Sequence, residues 1–113
     1  MSKFYLETPL PKKFTADIRK SRYSNGRISL SLVCNKTGMP LEMVTINFPQ
    51  ILIADNHVII DVYTGINSDV LKRAVSRGLL SKPLFFARVR SRERDDLHSY
   101  PVCELLREPD SDD

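Results

Sequence analysis

The chain has 113 residues, 42 % apolar and 27 % charged, which is enough for one domain with one core. No apolar run exceeds four residues, which excludes a membrane-spanning helix, and no long apolar stretch follows Lys3, so a cytoplasmic protein is expected. The formal net charge of +3 excludes an acidic DNA mimic, and it is uneven: residues 1–56 hold eight Lys/Arg against four Asp/Glu, residues 57–113 nine against ten.

In residues 1–12, Pro9 and Pro11 flank Leu10 and limit any strand there to a short or edge one. Over residues 13–23, Phe14, Ala16 and Ile18 alternate with Thr15, Asp17 and Arg19, the period of a half-buried strand. Beyond Ser24-Asn25-Gly26, Ile28, Leu30, Leu32 and Cys34 alternate with Arg27, Ser29, Ser31 and Val33, so the two runs read as a hairpin. A two-residue Asn25-Gly26 loop would pair Leu32 with Arg19 and mix apolar with charged side chains on one face. A three-residue loop pairs Leu32 with Ile18 and Cys34 with Ala16, and sets Gly26 where a type I turn with a G1 bulge needs a left-handed residue. The three-residue register is the expected one.

Asn35-Lys36-Thr37-Gly38 reads as a turn, residues 39–48 as a third strand ended by Pro49, and residues 57–63 as a fourth. The one helix begins near Asn67 as N-cap, with Ile66 and Leu71 in staple positions, and Val70, Leu71, Ala74 and Val75 forming its apolar stripe. Gly78 is the expected residue just past its end, with Leu79 as its apolar contact. Residues 84–92 form a fifth strand and residues 99–106 a sixth, which Pro101 marks as an edge. Residues 1–107 are expected to form a single domain, and residues 108–113, acidic and without an apolar side chain, a disordered tail. The expected class is α+β, a mainly antiparallel sheet of five or six strands with one short helix on a face.

Chemistry-bearing patterns are sparse. Glycines stand at 26, 38, 65 and 78, too scattered for a phosphate loop. Cys34 and Cys103 lie in apolar runs and read as buried hydrophobes; His57 and His98 lack a partner at zinc-ligand spacing. His57 and Asp61 would share a strand face as an acid–base pair, but an Asp capping a turn and a polar strand face is the simpler reading. No catalytic residue, metal or cofactor is therefore expected, and the chain reads as a non-enzyme.

The most distinctive pattern is Arg88, Arg90, Arg92 and Arg94. At period two the first three project from one sheet face about 6.6–7 Å apart, close to the spacing of phosphates or of a carboxylate row. Arg19 and Arg27 add charge on the hairpin's polar face and Tyr23 offers an aromatic platform. A solvated face charged against aggregation is the competing reading, and no aromatic residue alternates with the arginines.

Thr45-Ile46-Asn47-Phe48-Pro49, Ile59-Ile60-Asp61, the helix ending in Gly78-Leu79, and Ser99-Tyr100-Pro101-Val102 together resemble an uncharacterised bacterial domain family carried by plasmids, conjugative elements and phages. The resemblance covers residues 44–106 and implies a mobile-element protein without catalytic residues, with anti-CRISPR inhibitors as the functional analogy. The expectation is a non-enzymatic binding protein, monomer or dimer, that occupies a surface of a host protein or nucleoprotein such as a CRISPR effector. The alternative is a small nucleic-acid-binding regulator using the same basic face.

Overall fold

The turn at residues 24–26 sets the first hairpin in the three-residue register. The computed structural model describes residues 6–7, 15–34, 36–90 and 97–109. In it β1 (Leu6–Glu7), β2 (Thr15–Arg22), β3 (Ile28–Cys34) and β4 (Pro40–Met43) form an antiparallel sheet in that order. Ile18 pairs with Leu32 and Ala16 with Cys34. The Gly26 N–H donates to the Tyr23 carbonyl at 2.9 Å and the Tyr23 N–H to the Arg27 carbonyl at 2.8 Å, with Gly26 at φ +87°. Only glycine meets that φ without a Cβ penalty, so the turn residue selects the register.

The expected strand over 39–48 breaks at Val44 and Thr45. The Leu30 carbonyl accepts the Val44 N–H at 2.9 Å and the Thr45 N–H at 3.3 Å, while the Leu30 N–H donates to Thr45 Oγ1 at 3.1 Å. A side-chain oxygen thus replaces a carbonyl in the ladder, and the chain turns out of the first sheet. It enters a second one at once, where Ile46 donates to the Ile59 carbonyl at 3.0 Å and Asp61 donates to Val44 at 2.9 Å.

That second sheet holds β5 (His57–Ile59), β6 (Phe85–Arg90) and β7 (Leu97–Glu104), antiparallel in the order β5-β7-β6. The chain is α+β with antiparallel pairing, as expected; among the described residues there are one helix and seven strands, which fall into two sheets because Thr45 divides the run. Pro101 does not mark an edge; β7 is the middle strand. Its missing N–H would face Ile60, the point where β5 departs. There the Ile60 N–H still donates to the Pro101 carbonyl at 3.0 Å, and the Ile60 carbonyl takes the Val62 N–H at 3.1 Å instead. The sheet therefore loses no buried acceptor to the proline.

Helix α1 (Asn67–Ser76) lays Val70 and Ala74 on the main core, with Leu30, Leu32, Val58, Ile60, Leu79, Leu80 and Cys103. Asn67 is not the N-cap. Ile66 holds that position, and the fully buried Asn67 side chain donates from Nδ2 to the carbonyls of Met43 (2.8 Å) and Asp61 (2.9 Å). The polar side chain is spent on tying the helix start to the two strand ends rather than on its own first turn. At the other end Gly78 (φ +74°) donates to Val75 and Leu79 to Ala74, a Schellman closure, and Leu79 is buried as expected. A second, smaller core gathers Ile59, Ala87 and Val102 with Ile46, Phe48, Ile51, Ile53 and Tyr100.

The acidic tail begins inside the described chain: Glu108 meets Lys20 Nζ at 2.6 Å and Pro109 is buried. The rest of it, from Asp110, lies outside the described residues. Among the described residues no helix is long and apolar enough to cross a membrane.

Candidate functional site

Strand β6 separates its two faces by period two. Ala87 is buried in the second core and Val89 is half-buried, whereas Phe86, Arg88 and Arg90 stand exposed on the other face. Across from them on β7 lie Pro101, Ser99 and Leu97 respectively. Phe86 is 58 % exposed and Leu97 53 %, and Leu84 and Phe85 are also open at the strand's start. Arg88 and Arg90 are thus framed by apolar side chains rather than set in a purely polar face. Such framing is what a protein-docking strip needs and a merely solvated edge does not.

The arginine pattern does not single out Phe86, which stands exposed at the head of the arginine row without alternating with it. The signal was available in Leu84-Phe85-Phe86, since three consecutive bulky residues on a strand cannot all enter one core. Arg92 and Arg94 lie outside the described residues. Arg19, exposed on β2 opposite Ser31, belongs to the other sheet from Arg88.

Two of the expected contact residues are engaged internally. The Arg27 guanidinium donates from Nη1 to the Phe48 carbonyl at 2.7 Å and from Nη2 to that of Ile51, pinning the loop between the sheets. Tyr23 exchanges a hydrogen bond with Thr45 Oγ1 at 2.8 Å, supporting the strand switch from below. Arg27 also lines a groove of about 790 Å³ with Lys20, Arg22 and Arg107 facing Asp55 and Glu108. Its cations have partners in the chain: Lys20 pairs with Glu108, Arg22 donates to Gly26 at 2.9 Å and Arg107 to Arg77 at 3.3 Å.

His57 and Asp61 do not form a pair. His57 Nδ1 accepts the Ala54 N–H at 3.4 Å, while the Asp61 carboxylate accepts the Tyr63 N–H (3.3 Å) and the Thr64 hydroxyl (2.7 Å), shaping the turn before the helix. Behind β7, Tyr100 packs on Phe48 at 5.0 Å and on Tyr63 at 5.1 Å. Burial, reinforced by the Asp61 carboxylate and then by Tyr63, pushes the Tyr100 hydroxyl above its ordinary pKa. Among the described residues no group of three or more His, Cys, Asp or Glu side chains is placed to hold a metal ion.

Comparison with protein families, with characterised proteins and with solved structures finds no match for this chain.

Proposed function

We propose that this chain is a non-catalytic binding protein whose contact surface is the β6 strip of Phe86, Arg88 and Arg90 with Leu97 beside it. The observation that carries the reading is a row of two exposed arginines on a regular strand, with exposed Phe86 at its head and Leu97 beside it. Arginines between apolar neighbours are the residue types that dominate protein interfaces, and their charge selects an acidic counterpart. The resemblance to mobile-element domains supplies the context: the partner is a host defence nucleoprotein, of the kind anti-CRISPR proteins occupy, and inhibition follows from covering its surface. Direct nucleic-acid binding is the second reading, supported by Phe86 as a stacking group next to Arg88.

Affinity capture from cells that carry such a defence system tests both. The expected result is one recovered protein or nucleoprotein, lost when Arg88→Glu and Arg90→Glu are combined, with the variant's melting temperature unchanged. Equal recovery by the variant rules the strip out as the contact. Binding to bare DNA or RNA that falls steeply with salt would replace the first reading by the second.

A further inference from the structure

The backbone of β6 offers more than its side chains do. In an antiparallel ladder each residue points its N–H and C=O to one neighbour, and successive residues alternate. On β7 the odd-numbered residues point away from β6. Pro101 receives Ile60, and the Ser99 N–H and C=O meet the Tyr63 hydroxyl at 3.2 and 2.8 Å. Tyr100 and Val102 therefore point toward β6, where their partners are Ala87 and Phe85. It follows that Phe86 and Arg88 turn their backbone N–H and C=O outward, to the side where no described strand lies.

We infer that β6 is a receptor edge for strand addition: an acidic, extended segment of the partner pairs with the outward amides of Phe86 and Arg88. The inference rests on the proposed binding strip and specifies how the partner engages it. Main-chain pairing supplies affinity while alternate side chains supply selectivity. On the exposed face a segment alternating carboxylates with apolar residues sets its carboxylates beside Arg88 and Arg90, and its apolar side chains fall on the other face, beside Phe85 and Val89. A second copy of the chain is the poorer occupant. β6 contains no acid, and pairing it with itself antiparallel about Arg88 or about Val89 sets arginine opposite arginine. The two arginines thus act as gatekeepers against self-association and as the recognition element for an acidic strand.

Amide hydrogen exchange on the full chain decides the matter, with a synthetic peptide of about ten residues alternating Glu and Val as the probe and a Lys/Val peptide as control. Expected is a slowing of about tenfold or more at the Phe86 and Arg88 amides with the Glu/Val peptide alone, and none at Ala87 and Val89, which are already paired. Phe86→Pro, which deletes an outward donor, should abolish the effect, and Phe86→Ala should keep most of it; should the proline variant fail to fold, the exchange pattern of the unaltered chain still decides. Peptide binding that shifts the Arg88 and Arg90 side-chain signals without slowing those amides overturns strand addition and leaves the docking strip standing. No response in either observable, with partner capture unaffected by the arginine reversals, overturns both. Protection that grows with protein concentration without any peptide assigns the edge to a second copy instead.

Discussion

The hydroxyl of Tyr63 occupies the place of a strand residue at Ser99, donating to its carbonyl at 2.8 Å and accepting its N–H at 3.2 Å. β5 ends at Ile59 while β7 extends to Leu97, so this one side chain closes a ladder position that no described strand reaches.

Tyr63→Phe keeps the ring against His98 and Tyr100, whose centroids lie 5.0 and 5.1 Å away, and removes only the hydroxyl. Because Tyr63 is more than half exposed, water can replace the lost partner, and the cost should be modest, about 1 kcal/mol by urea denaturation. The diagnostic readout is local: amide exchange at Ser99 should accelerate more than at Val102, which β5 and β6 both flank.

Asn67 is a different case, since its side chain is fully buried and bonded to the carbonyls of both Met43 and Asp61. Asn67→Ala removes the Asn67 donor from the Met43 carbonyl and leaves the Asp61 carbonyl with only the Thr64 N–H at 3.5 Å, and should cost about 2–4 kcal/mol. Asn67→Asp should be worse still at neutral pH, because it sets a buried carboxylate against two carbonyl oxygens. If Asn67 acted as a helix N-cap, Asp would instead be tolerated nearly as well as Asn, so the order of the two variants in thermal melts discriminates.

The two cysteines should differ in reactivity and in their effect on pH dependence. Burial pushes the Cys103 thiol up to about 11 from an ordinary 9.0, whereas the Thr37 hydroxyl, then the Lys36 and Thr37 backbone, hold Cys34 below its ordinary value. An alkylating reagent at neutral pH should therefore modify Cys34 first and reach Cys103 only on unfolding. The Cys103 contribution to stability is fully present below about pH 9 and falls as the unfolded chain alone ionises, until it is lost above about pH 11. That is about 2–3 kcal/mol at about 1.4 kcal/mol per tenfold change. Cys103→Val should remove this part of the alkaline slope in denaturation curves taken from pH 8 to 11.5, while the tyrosines keep theirs.

What could be read from the sequence was what depends on neighbours in the chain. Gly26 and the alternation on either side of it determine the first hairpin's register, and Gly78 determines the helix end, because each choice is decided within a few residues. The misreadings all involve a partner far along the chain. Pro101 signals an edge only if β5 continues past it, and Ile60 leaves. Asn67 has capping chemistry, but Met43 and Asp61 claim its side chain. Tyr23 and Arg27 share a polar face as their spacing requires, and Thr45, Phe48 and Ile51 draw them into the fold. For the candidate site, the exposure of Arg88 and Arg90 followed from period two. Their placement on an edge with no described strand beside it did not, since the strand order β5-β7-β6 leaves no trace in local pattern.

That strand order also sets a schedule for synthesis. The first sheet can close once residue 43 has left the ribosome, with each strand pairing to one already made. β5 has only residues 44–46 to bond to and Ala87 on β6 has no earlier partner strand, because the strand that separates and pairs with both is made last of the three. A nascent chain halted near residue 96 would hold a finished hairpin sheet and two apolar strands still lacking the central one that joins them. It is in that interval that the chain most needs shielding by a chaperone.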